Sequence, residues 1–135
     1  MVIALAACGG GGHDVTASTT RCVRPPAGTG PGATATLQVG DAGRTYCLRR
    51  GATLAVLLRA VAGSTTWSTP TTSNPRVLPP TANGALSLPI GVTGAAFHAQ
   101  SRGHATISAV RPPCTIRTIA TCDHTDGWRA RVVVQ

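Results

Sequence analysis

Trp128-Arg129-Ala130-Arg131-Val132, close to the C-terminal end of the chain, alternates apolar and charged residues. A period of two is the signature of a strand with one face buried and the other in water. Other segments follow the same rule. Ala35, Leu37 and Val39 alternate with Thr34, Thr36 and Gln38, and after the turn residues Gly40-Asp41-Ala42-Gly43 a second extended segment, Arg44 to Leu48, contains Cys47. Phe97 to Gln100 and Ala105 to Val110 read as strands, and Ser101-Arg102-Gly103 between them predicts a hairpin. Ala52 to Ala62 fits two periods: Leu54, Leu57, Leu58 and Val61 at helical spacing, or Leu54, Val56 and Leu58 at strand spacing. Periodicity alone leaves both open, and the neighbouring strands favour a strand.

Between Trp67 and Gly94 lie Pro70, Pro75, Pro79, Pro80 and Pro89. Proline gives no N–H to a ladder, so this region is expected as loop and edge, with at most short strands near Arg76–Leu78 and Leu86–Leu88. The expected fold class is all-β.

Composition narrows the function classes. The chain has 135 residues, room for one domain and hardly a second. Its net charge of +8 comes from twelve basic residues, all arginine, against four aspartates, with no Lys and no Glu. Aromatic residues make up 3%, so the core must be built from Ala, Val, Leu and Ile. No apolar run approaches the ~20 residues of a membrane span, which excludes a polytopic membrane protein. The arginines are dispersed, Arg49-Arg50 being the one adjacent pair, and no aromatic platform accompanies them. Nucleic-acid binding is therefore not expected.

Catalytic materials are scarce. Asp14, Asp41, Asp123 and Asp126 fall in tether or turn contexts, and His98 and His104 in positions expected to face solvent. Ser108, His104 and Asp123 make a triad only on paper, with no nucleophile elbow around the serine. Cys114-x7-Cys122-x-His124 matches no zinc-ligand spacing. The chain reads as a non-enzyme without metal or cofactor.

The N-terminal residues suggest an address. Met1 to Ala7 is apolar and precedes Cys8 and the run Gly9–Gly12. Leu5-Ala6-Ala7-Cys8 resembles the lipobox of bacterial lipoproteins. The resemblance implies a residual signal segment over 1–7 and a lipid on Cys8; the Gly-, Thr-, Ser- and Pro-rich composition makes 8–33 a disordered tether, and the strand pattern that starts at Thr34 places the domain over 34–135. The resemblance also implies an extracytoplasmic location, anchored to the cell membrane. The apolar stretch is short for a leader and has no basic residue before it, the pattern of a start assigned too far downstream. In that setting the arginines would meet anionic lipid headgroups and cell-envelope polymers, or an unidentified protein partner. Setting Cys8 aside leaves Cys22, Cys47, Cys114 and Cys122, for which three connectivities exist. Local pairing, Cys22 with Cys47 and Cys114 with Cys122, is the preferred one.

Two family resemblances bear on the domain. Trp67-Ser68-Thr69-Pro70, then Ser73-Asn74-Pro75-Arg76-Val77-Leu78, resembles bacterial Ig-like domains, as does Phe97-His98-Ala99 with Gly103-His104-Ala105-Thr106-Ile107-Ser108-Ala109. It implies an Ig-like β-sandwich serving as a binding or structural module without catalytic activity. The alternative is similarity to the chagasin-type inhibitors of papain-like cysteine proteases, which insert three loops into the protease cleft. Arg111-Pro112 sits between the last two strands as that family's Arg-Pro-aromatic does, and Gly91-Val92-Thr93-Gly94 corresponds to its Gly-rich loop. Pro113 stands where the aromatic is expected, and Gly63-Ser64-Thr65-Thr66 echoes the remaining loop faintly. This resemblance implies inhibitory contacts from Gly91, Thr93, Arg111 and Pro112.

Overall fold

The computed structural model describes residues 21–28, 32–61, 65–81, 88–111 and 126–135. Seven strands are present among them: β1 (Ala35–Leu37), β2 (Thr45–Leu48), β3 (Thr53–Arg59), β4 (Thr71–Thr72), β5 (Val92–His98), β6 (Gly103–Arg111) and β7 (Asp126–Val134). They form two sheets, ordered β1-β3-β5 and β2-β7-β6-β4, packed as a β-sandwich. Successive strands change sheet at every step until β6, which pairs antiparallel with β7. The pairs β1–β3 and β2–β7 run parallel.

The alternating segments supply the core. Leu54, Val56 and Leu58 of β3 face inward, which settles that segment as a strand. Trp128, Ala130, Val132 and Val134 of β7 are buried, while Arg129 and Arg131 are exposed on the opposite face. Leu37, Tyr46, Phe97 and Ile107 complete the centre of one continuous cluster.

Three local expectations give way. Val39 leaves the β1 alternation and sits, 39% exposed, in a 3-10 turn over Val39–Asp41. The Gln38 N–H donates to the Asp41 carboxylate at 2.7 Å, and the Asp41 N–H returns to the Gln38 carbonyl at 3.0 Å. These reciprocal bonds turn the chain immediately after Leu37, where β1 ends. Arg76–Leu78 is a turn rather than a strand: the Asn74 carbonyl accepts from both Val77 N and Leu78 N. Finally, β5 and β6 lie in different sheets and make no hairpin. Phe97 and Ala99 before the turn, and Ala105 and Ile107 after it, are all buried, so the two segments meet across the core. The Gln100 N–H, donating to the Val77 carbonyl at 3.0 Å, holds the bend on the proline-rich segment.

The N-terminal stretch is laid against the sandwich. Val23 bridges Tyr46 and Ala27 bridges Ala35, and a disulfide joins Cys22 to Cys47 with 5.1 Å between Cα atoms. This is the local pairing read from the sequence.

Candidate functional site

The register of both sheets brings four strand termini to one end of the sandwich. β3 ends where β5 begins, with Arg59 opposite Val92, and the Ala60 N–H donates to the Gly91 carbonyl at 2.8 Å. In the other sheet β6 ends where β7 begins, with Arg111 opposite Asp126. The described residues that border 112–125, Arg111 and Asp126, stand at this same end. Gly91 takes φ +83°, a left-handed conformation that costs glycine no steric penalty.

Trp67 and Ser68 join these termini. The Thr93 hydroxyl donates to the Trp67 carbonyl at 2.9 Å, reaching from β5. The Ser68 N–H donates to the Val110 carbonyl at 2.7 Å, and the Val110 N–H donates to the Ser68 hydroxyl oxygen at 2.9 Å, reaching to β6. The Arg111 guanidinium carbon lies 5.3 Å from the centroid of the Trp67 ring, within cation–π range. The Trp67 ring is buried, and its Nε1 has no acceptor among the described residues. Beside Gly91, an open groove of about 460 Å³ is lined by Val39, Leu57, Arg59, Val61, Leu88 and Val92 among others.

Gly91, Thr93 and Arg111 of the inhibitor resemblance are therefore brought to one end, and Thr65 and Thr66 lead into Trp67 there. Pro112, Gly63, Ser64, Cys8, Cys114 and Cys122 lie outside the described residues. The structure does not assemble the paper triad. His104 and Ser108 lie four residues apart along β6, roughly 13 Å at strand rise, and Asp123 is outside the described residues. His98 and His104 are exposed at the opposite end. No group of His, Cys and Asp among the described residues could hold a metal ion.

Sequence reasoning missed Trp67 as the link between candidate segments. It placed the residue at the head of the proline-rich loop and edge region, and nothing in the spacing from 67 to 93 or 111 announces the contact.

No protein-family model and no curated protein matches the chain. Solved structures do. The cysteine protease inhibitor EhICP2 from Entamoeba histolytica superposes with a TM-score of 0.51 at 13% identity, covering 74% of this chain and 93% of its own. Amebosin superposes at 0.42 and 14% identity, over 78% of this chain and 100% of its own. At such identity the likeness to EhICP2 is one of fold.

Proposed function

We propose that this domain is a non-catalytic inhibitor of papain-like cysteine proteases. One observation carries the reading: Gly91 and Thr93, Arg111, and the stretch leading into Trp67 all stand at one end of the sandwich. Three separate stretches of sequence become one edge there. A fold shared with a cysteine protease inhibitor supports it. An edge built from three stems can fill a cleft and cover the catalytic thiolate without offering a bond for cleavage. Rigid stems lower the ordering cost of binding, since little conformational freedom is lost on docking. Titration against papain tests this. Stoichiometric inhibition by the intact domain, weakened by Arg111→Ala, is the expected result. No inhibition at micromolar concentration would overturn it.

The Cys22–Cys47 disulfide favours an oxidising compartment. With a lipid on Cys8, the inhibitor would be held at the outer face of the cell membrane. Fatty-acid labelling that disappears in Cys8→Ser is the expected result, and an unlabelled wild-type protein would remove the anchor.

A further inference from the structure

We propose that Trp67 and Ser68 form a positioning strut that fixes the candidate inhibitory segments relative to one another, with the Trp67 ring holding the Arg111 side chain in place before any partner arrives. The proposal rests on the inhibitor reading and adds the residue that organises the site. Its basis is the convergence of contacts on two consecutive residues. Thr93 of one sheet donates to the Trp67 carbonyl, both main-chain groups of Val110 in the other sheet bond to Ser68, and Arg111 lies over the indole.

The two tryptophans differ in what locates them. The Trp128 N–H donates to the Gln38 carbonyl at 3.1 Å, so a hydrogen bond orients that ring. Trp67 is only 7% exposed, yet its buried N–H meets no acceptor among the described residues. A buried, unsatisfied donor is unfavourable. The position of this ring is therefore not set by its polar atom. Packing and the guanidinium over its face remain as the contacts that set it, and both use the π-surface. Indole presents the strongest such surface of the aromatic side chains.

An arginine held in this way loses fewer rotamers on binding than one free in solvent. Immobilising a long side chain in advance improves affinity by roughly tenfold. Ser68 acts on the main chain in the same sense, because two bonds to Val110 fix the residue just before Arg111.

The test uses three variants of the intact domain. Trp67→Phe keeps an aromatic face and removes the unpaired N–H. Trp67→Leu keeps apolar bulk and removes the face. Arg111→Ala removes the cation. Two readouts are taken: the ring-current displacement of the Arg111 side-chain protons in the free domain by NMR, and the inhibition constant against papain. Trp67→Phe is expected to retain the displacement and to inhibit within about threefold of wild type. Trp67→Leu is expected to abolish the displacement and weaken inhibition roughly tenfold. In the Arg111→Ala background the same Leu substitution is expected to change inhibition less than about twofold, because the coupled partner is already gone. Equal losses with and without Arg111 would overturn the strut, as would undisplaced Arg111 resonances in wild type. Should Trp67→Leu fail to fold, the wild-type resonances and Trp67→Phe decide. Displaced resonances in a domain that leaves papain fully active would instead remove the inhibitor reading and leave Trp67–Arg111 as a structural contact only.

Discussion

The Trp128 indole N–H donates to the Gln38 carbonyl at 3.1 Å and so ties β7 of one sheet to the end of β1 in the other. The ring is 2% exposed, in a chain where aromatics make up 3% of residues. A large share of the core volume therefore rests on one side chain. Trp128→Ala should cost about 3–5 kcal/mol, against a total of about 5–15 kcal/mol for an ordinary domain. Arg129→Ala, on the exposed face of the same strand, should cost less than about 0.5 kcal/mol. Denaturant melts of the two variants check the register, since a slip of one residue would exchange their faces. Equal small losses would mean that β7 is not a core strand.

Tyr46 supplies the alkaline limit of stability. Burial pushes its phenol above the ordinary value of 10.0, Asp41 raises it further, and Arg44 pulls the other way. The hydroxyl donates to the Asp41 carbonyl at 2.9 Å, a bond that needs the proton. Folding thus holds the proton to higher pH than the unfolded chain does. The stability from this group is fully present below pH 10 and is lost as pH rises through the folded value. With one tyrosine and no lysine in the chain, few other groups titrate there. The expected result is a fall in melting temperature above pH 10 that Tyr46→Phe removes, read as the difference between the two proteins. A parallel fall in both would sink the assignment.

Much of this architecture was legible because apolar alternation is a direct consequence of one-sided burial. Trp128 to Val132 alternates strictly and became a core strand with the expected faces, whereas Leu54 to Leu58 fits two periods and proved a strand with Leu54, Val56 and Leu58 inward. Legibility ended where long-range hydrogen bonds decide. Whether Phe97–Ala99 and Ala105–Ile107 sit side by side or face each other leaves the same inward pattern in the sequence. Val39 looked like the next inward residue until the Gln38–Asp41 bonds closed a turn over it. At the candidate site, Gly91, Thr93 and Arg111 were visible as family-like fragments, but their common end follows from strand register. Pro113 breaks the expected Arg-Pro-aromatic run, and the aromatic lying against Arg111 is Trp67, forty-four residues earlier in the chain.

Gly103 should tolerate no side chain. It takes φ +146°, and a Cβ built there would lie 2.7 Å from Val77 Cγ2. Val77 is itself buried, and its carbonyl holds Gln100, so it has little room to yield. Gly103→Ala should cost about 1–3 kcal/mol from backbone strain and the clash together. Adding Val77→Ala should cost less than the sum of the single changes, because the clash partner is gone. Strict additivity in thermal melts would show that the close approach does not exist.

The Cys22–Cys47 bridge closes a loop with a sequence separation of 25 residues. In the chain-entropy account such a closure contributes about 3 kcal/mol by restricting the unfolded chain. Replacing both cysteines with serine should lower stability by about that amount while leaving the sandwich intact. Peptide mapping without reductant should recover residues 22 and 47 in one linked fragment. Recovery of free thiols at both positions from an exported sample would refute the bridge.

Cys114 and Cys122, both outside the described residues, belong to the connection that starts and ends at one paired position, Arg111 opposite Asp126. Cys114 follows Arg111 by three residues and Cys122 precedes Asp126 by four. The local pairing preferred from the sequence predicts a second disulfide between them. In the same chain-entropy account a loop this short contributes roughly 2–3 kcal/mol, somewhat less than the longer Cys22–Cys47 loop. It also acts on the edge, since a short bridged loop has less freedom to lose on docking. Cys114→Ser with Cys122→Ser should therefore lower the melting temperature somewhat less than the double serine variant at 22 and 47 does, and weaken inhibition of papain clearly. Non-reducing mapping that finds both thiols free, or a double variant that inhibits as well as wild type, would show that this connection owes nothing to a cross-link.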